Sequence, residues 1–552
     1  MQLDSKHSSA VFRRWPASLY GLSLILFFTT AILPVVWMLG QFFIGAVRDP
    51  GALSDVLLDG RQLILLGRSL GIAVSATLVA LLLGLPVATV LAAKDLPFRS
   101  LFSFLMLVPL LIPPYVTAGA WLHLLSSYGA VNRTIATFLG PSATLRIQSI
   151  PGCVWCLGIS FFPLIAFIMS TGILQIDTTL QDAARLCTGR WGVFWHSTLP
   201  QVRPHLAAAV CLALIFILAQ YGVPSLLGVN TYPVEIFAQF SAFYDEVSAM
   251  AICLPLIALV ALLVLCQQKI MGSREYVSIT PRSDSEGAVP LGRMKPFAIV
   301  FLLMLFTITT VLPLGSVLVH ATGLETVQAT ASIFSDAISF TALLASAAAV
   351  ACTVIAFFLA HSLASGTSYA VKTLNVICWL PVAIPGTVVG LGFIRMAGAM
   401  PWLQRINSFG LGLLLAYVGM FCAFSIRIFY ASYSGTDPNV DEAAALDCPR
   451  WYQRCWYIDM RMHAGAIVMS LILVFVLAAG ELNATVLLSP PGKDTLSVAI
   501  DNLLHYGASA TASAFCLIEA ILVLVAAVAC VAAMKIIQRF SAGTAHTGVL
   551  HD

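Results

Sequence analysis

AISFTALLASAAAVACTVIAFFLAHSLA, residues 337–364, contains no Lys, Arg, Asp or Glu. A helix needs about 20 apolar residues to cross the hydrocarbon of a bilayer, whereas a transmembrane strand needs about ten with alternating polarity. The stretch has the length of the first and lacks the alternation of the second, so it reads as a membrane-spanning α-helix. ILLGRSLGIAVSATLVALLLGLPVATVLAA, residues 64–93, is of the same kind. Apolar windows bounded by charge and by Pro or Gly predict about 12 such helices. The first six lie near 19–44, 64–93, 101–123, 149–174, 205–228 and 248–267, and the second six near 297–320, 337–364, 373–397, 409–432, 464–488 and 512–536. The expected fold class is an all-α polytopic membrane protein.

Composition agrees. Of 552 residues, 59% are hydrophobic and 10% charged, with a mean hydropathy of +0.94. Soluble chains carry roughly 25% charged residues, which excludes a water-soluble enzyme. The apolar excess persists from residue 18 to residue 540, which excludes a soluble domain on a single anchor. The net charge of +3 comes with no basic cluster of the kind that binds nucleic acid. The run 19–47, preceded by Lys6, Arg13 and Arg14, reads as an uncleaved first helix. Cys153 and Cys156 have C-x-x-C spacing, but no His or second Cys pair lies nearby to complete a metal or redox site. With the N-terminus placed in the cytoplasm, about 20 of the 28 Lys and Arg fall on the cytoplasmic side. Both termini are therefore expected inside.

The two halves match piece by piece. PLLIPP (Pro109–Pro114) corresponds to PVAIPG (Pro381–Gly386) at an offset of 272, and Ala88 and Leu91 keep that offset to Ala360 and Leu363. DAARLCTGRW (Asp182–Trp191) corresponds to EAAALDCPRW (Glu442–Trp451) at 260, and IFILAQYGVPSLL (Ile215–Leu227) to the segment ending at Leu488 at 261. An offset that changes only at loops indicates duplication. The expected organisation is a first repeat over 1–267, a polar connector over 268–295 and a second repeat over 296–552. An even number of spans gives both repeats one orientation, related by an axis along the membrane normal. Their interface at the bilayer centre is a natural place for a pathway, so transport is the expectation.

The loop Leu180–Pro200 has legible physical features. Asp177 and Thr178 are placed to cap a short helix, and Asp182 suits its early turns. Ala183 and Ala184 have high helix propensity and little bulk. Gly189 and Gly192 permit a turn, and Trp191 and Trp195 offer contact area. Such a segment is suited to docking in a groove. It resembles the EAA motif of the permease subunits of binding-protein-dependent ABC importers. Two copies in one chain with 12 spans resemble the fused permeases of the ferric-iron importer type, as do Gln220–Asp245 and Gly480–Ala508. The resemblance implies that Asp182, Ala183, Ala184, Gly189 and Trp191, with Glu442, Ala443, Ala444 and Trp451, form two coupling helices. Each would be gripped by a copy of a separate ATPase subunit, while a periplasmic solute-binding protein delivers the solute. The expected location is a bacterial inner membrane.

The match has departures. Asp182 replaces the family's Glu, Thr188 stands at the expected Gly position, and Gly189 comes one place late. In the second copy Cys448 replaces Gly, and Met460–Arg461 replace Leu-Pro, so unequal ATPase contacts are expected.

No G-x-x-x-x-G-K-[ST] occurs, so ATP and Mg are expected on the partner and no cofactor on this chain. No HExxH or nucleophile elbow is present, and neither covalent chemistry nor a resident metal is expected. Pro109, Pro113, Pro114, Pro381 and Pro385 fall within predicted spans, where bent helices either line a pathway or serve packing. Glu481 stands in an apolar span opposite Gln220 of the other repeat. It would meet a cationic solute or bond to a neighbouring helix, and the second is favoured. His361, Arg395 and Arg427 lie near helix ends, where snorkelling explains them. Ferric iron is the expected solute, with thiamine, 2-aminoethylphosphonate and polyamines as alternatives. A secondary transporter or a scaffold is the competing class.

Overall fold

In a bilayer the backbone must satisfy its own polar groups, and a helix does so within one segment. The computed structural model describes residues 16–48, 60–126, 129–140, 143–176, 183–184, 186–271, 291–321, 323–366, 368–407, 410–436, 450–505 and 510–547; among them there is no strand. Among the described residues eight helices are individually long and apolar enough to cross a membrane, and four bent pairs bring the total to 12 if each pair is one span. The bent pairs are Ser18–Ala31 with Leu33–Gly45, Arg99–Leu111 with Pro114–Leu124, Tyr369–Val382 with Gly386–Ala399, and Trp451–Met462 with Ala464–Ala479. The second and third bend by 87° and 97°, at matching places in the two repeats.

Three sequence expectations need correction. The spans expected over 205–228 and 464–488 end as helices at Leu218 and Ala479, and the chain continues through short helices at Gly222–Leu226 and Thr485–Leu488. Gly222, Pro224 and Gly480 interrupt the helix there, a signal that hydropathy averaging hides. In the third and ninth spans Pro113 and Pro385 interrupt the helices rather than kink them, whereas Pro109 lies inside Arg99–Leu111. Pro113 precedes Pro114–Leu124 and Pro385 precedes Gly386–Ala399 as the residue outside the helix. At the connector, Glu246–Met271 carries helix past residue 268, and Leu291 begins the next described stretch. Residues 272–290 lie outside the described residues.

The duplication is visible in single bonds. The Tyr232 N–H donates to Ser69 Oγ at 2.8 Å, and the Leu496 N–H donates to Thr341 Oγ1 at 2.8 Å. Ser69 and Thr341 keep the 272 offset. In each half, a hydroxyl on the second helix anchors the start of a short helix, Tyr232–Ser241 or Leu496–His505.

Packing does not follow the sequence repeats at their first helices. Phe27 and Ala31 sit in a core with Leu344, Phe393 and Tyr417 of the second half. A Cβ on Gly419 would fall 2.3 Å from the Thr30 carbonyl oxygen, so only glycine permits that approach. Reciprocally, Ala298, Leu302 and Leu305 pack with Ala80, Phe102 and Phe162 of the first half. Ser316 Oγ donates to the Ala120 carbonyl at 3.2 Å, and the His320 ring stacks on His123 at 4.5 Å. Each repeat thus lends its first helix to the other. A further tie joins the halves near residue 95. Asp95 accepts from the N–H groups of Leu291 at 2.7 Å and Gly292 at 3.2 Å, and pairs with Lys295 Nζ at 3.3 Å.

Candidate functional site

The breaks at Pro113, at Pro385, between Leu218 and Gly222 and between Ala479 and Thr485 converge where the halves meet. At Gly480 a Cβ would lie 2.7 Å from Pro113 Cγ, so the break in one half is seated against the break in the other. The Tyr221 N–H donates to Asn483 Oδ1 at 2.9 Å, a bond between a free N–H beyond one helix end and a side chain beyond the other. Gln220 is half-buried beside it, and Pro109, Pro381 and Pro385 are buried within or next to the breaks.

Glu481 lies past the end of Ala464–Ala479, not inside a helix. Its side chain turns back onto the following turn. Oε1 accepts from the Ala484 N–H at 3.0 Å, and Oε2 accepts from the Thr485 N–H at 3.1 Å and from Thr485 Oγ1 at 2.6 Å. Tyr417 Oη lies 2.7 Å from the same Thr485 hydroxyl. Both carboxylate oxygens are therefore engaged in capping the short helix.

Sequence reading missed Glu519. It sits in Ala510–Thr547, is fully buried, and accepts a hydrogen bond from Tyr115 Oη of the first half. One acid in an apolar run was the available signal, the same signal that singled out Glu481. Asp501, on Leu496–His505, is also buried; its Oδ1 lies 3.5 Å from His505 Nδ1, and His505 Nε2 lies 3.2 Å from Ser225 Oγ of the first half. Carboxylates, phenols, hydroxyls and an amide thus meet between the halves. Among the described residues no group of three or more His, Cys, Asp or Glu is placed to hold a metal ion.

Asp177, Thr178, Asp182, Glu442, Ala443 and Ala444 lie outside the described residues. Ala183 is exposed and helical, Ala184 is half-buried, Gly189 is exposed, and Trp191 belongs to the turn Arg190–Val193. The Thr188 N–H donates to the Ala184 carbonyl at 2.9 Å, and a Cβ on Gly192 would fall 1.7 Å from Thr188 Oγ1. Thr188 and Gly192 therefore fit as a pair, while a Cβ at the displaced Gly189 would meet open space. Trp451, 42% exposed, opens Trp451–Arg454.

Directly after both loops the helix widens into a π-turn, Phe194–Thr198 in the first half and Cys455–Asp459 in the second, at the 261 offset. Single π-turns frequently mark functional positions. In the second copy Arg454 and Asp459, both buried, face each other across that turn with Nε and Oδ2 at 3.4 Å.

The remaining candidates are held by packing. Arg395 pairs with Glu246, the Arg427 guanidinium lies 5.1 Å from the centre of the Trp379 ring, and His361 is buried edge-on to Tyr433. These contacts replace the snorkelling expected for them. Cys153 and Cys156 are fully buried.

The family of binding-protein-dependent transport system inner membrane components matches residues 80–275. Ferric transport system permease protein FbpB of Actinobacillus pleuropneumoniae is 22% identical over 496 residues, covering 85% of this chain and 71% of the relative. Residues 80–275 thus carry a domain of the inner-membrane components of binding-protein-dependent transport systems. The permease is also 22% identical over 463 residues to Fe(3+)-transport system permease protein FbpB 2 of Haemophilus influenzae, with 81% of this chain and 85% of the relative covered. Molybdenum transport system permease protein ModB of Escherichia coli K12 is 27% identical over 199 residues, which is 35% of the permease and 85% of that relative. The first two relatives thus align across both halves of the permease.

Proposed function

We propose that the permease is the membrane subunit of an ATP-driven importer that passes ferric iron from a periplasmic binding protein to the cytoplasm. The observation carrying this reading is the meeting of paired broken spans between the halves, with a π-turn following each motif along the chain. Broken helices are tolerated in a membrane where they are buried in protein or line a water-filled path. Twin loops behind equivalent turns provide two places for two copies of a separate ATPase, which would hold the ATP and its Mg. The positive-inside bias supports a cytoplasmic side for those loops and both termini.

Two relatives that span both halves carry ferric-transport names, which supports iron as cargo. The chemistry between the halves points the same way. Carboxylates and phenols are hard oxygen donors suited to a highly charged cation rather than an oxyanion.

The test is cross-linking from cysteines introduced at Ala184 and Ala444, followed by reconstitution in proteoliposomes. Capture of an ATPase at both positions, with iron uptake requiring ATP and the binding protein, is the expected outcome. Uptake driven by an ion gradient alone would identify a secondary transporter instead. ATP-driven uptake of thiamine, a polyamine or 2-aminoethylphosphonate without iron would keep the machinery and replace the cargo.

A further inference from the structure

Glu519 lies nine residues into Ala510–Thr547. At 1.5 Å per residue that is about 14 Å along the helix, close to the middle of a hydrocarbon layer about 30 Å thick. Its carboxylate is 0% exposed. Oε1 is taken by the Tyr115 hydroxyl, while Oε2 has no hydrogen-bond partner among the described residues. Glu481 makes the contrast, because both of its oxygens are consumed by the cap it builds. An ionisable group at this depth faces a partner or a path. Glu519 has half of a partner.

Its surroundings come from both halves. Tyr115 follows the break at Pro113 in the first half, while Glu519 and Asp501 belong to the second. Asp501 is itself joined to the first half through His505, whose Nε2 lies 3.2 Å from Ser225 Oγ. Opening the halves would expose a phenol and carboxylates, all oxygen donors that favour hard, highly charged cations. No cage of three or more His, Cys, Asp or Glu stands here among the described residues. That suits a group touched in passing, since conduction needs contacts weak enough to release what they bind.

We propose that Glu519, with Tyr115 beside it, is the point at which a multivalent cation contacts the protein as it crosses between the halves. This rests on the importer reading and names the residues that meet its cargo. Glu519 supplies the charge, and Tyr115 orients the carboxylate through Oε1, leaving Oε2 for the cation.

The test compares wild type with Glu519→Gln, Glu519→Asp and Tyr115→Phe. Gln has the same shape and still accepts the Tyr115 hydrogen bond, so a purely structural Glu519 would tolerate it. Two readouts are taken on the full chain: terbium(III) luminescence excited through the protein in lipid nanodiscs, and iron uptake by cells carrying the permease with its partners. Wild type should bind terbium saturably. Glu519→Gln should lose at least tenfold in both apparent affinity and uptake, Glu519→Asp should keep more of each, and Tyr115→Phe should stay within a few-fold in terbium binding. Wild type that binds no terbium, or Glu519→Gln that keeps either terbium binding or uptake within twofold of wild type, overturns the proposal. The importer reading fails separately, if wild-type uptake is independent of ATP while terbium binding still depends on Glu519.

Discussion

The two buried acids of the central region show how one residue type takes opposite roles. Glu481 is spent on its own backbone, accepting from two N–H groups and a hydroxyl, and its worth is that of a buried cap. Glu481→Ala is expected to cost about 1–2 kcal/mol of stability, read as a lower thermal midpoint in detergent. Glu481→Gln, which keeps one acceptor oxygen, should fall between. An unchanged midpoint in Glu481→Ala would refute the capping role. From sequence the two acids were indistinguishable in kind, since each is a lone carboxylate among apolar neighbours. What separates them is the helix end at Ala479, which frees N–H groups beside Glu481 and none beside Glu519. Gly480 marks that end in the sequence, but its meaning becomes plain only with Pro113 packed against it.

Among the helices, the sharpest equivalence between the halves is the π-turn after each motif loop, and the halves support it differently. The first copy follows its turn with Leu199–Pro200, while the second has Met460–Arg461 and spans its turn with the buried Arg454–Asp459 pair. A five-residue spacing places those side chains together on a π-turn, and residues 193 and 198 in the first copy are Val and Thr. The ion pair thus stands where the second copy lost its proline. Removing one partner of a buried pair leaves the other charge uncompensated, at a cost of about 3–5 kcal/mol. Asp459→Asn and Arg454→Met should each lower the thermal midpoint and reduce coupled ATPase activity. Replacing both by apolar residues should recover much of the midpoint. If the single variants match wild type in both measurements, the second loop does not depend on this pair. The sequence displayed the missing proline but not its substitute, because the i,i+5 relation has no meaning until the helix is known to widen there.

For the molecule as a whole, the spans were legible because apolar length alone signals a crossing helix, and the repeat because its offsets change only at loops. Which helix packs on which was not legible. In lipid a helix is apolar all round, so Ala17–Ala31 carries no stripe that points to its neighbours, and its place beside Gly419 emerges only in three dimensions. The Asp95 tie was equally hidden, being made to backbone N–H groups 196 and 197 residues away. The Leu291 N–H, then that of Gly292, with Lys295, hold the Asp95 carboxyl below the usual carboxylate range. A depressed acid contributes fully above its unfolded value, near pH 4, and the contribution is lost as pH falls through the lowered one. Acidification through that window should therefore weaken the link between cysteines placed at residues 94 and 293, measured by cross-linking yield. Asp95→Asn should lower the yield at neutral pH and remove the acid dependence. The exchange of first helices has a consequence for the covalent chain itself. With each half gripping a rod that belongs to its counterpart, the peptide between Met271 and Leu291 is not what keeps them together. Two separately translated fragments, 1–271 and 272–552, should find each other in the membrane, co-purify and restore uptake. Fragments trimmed of residues 1–48 and 291–321 should drift apart as strangers.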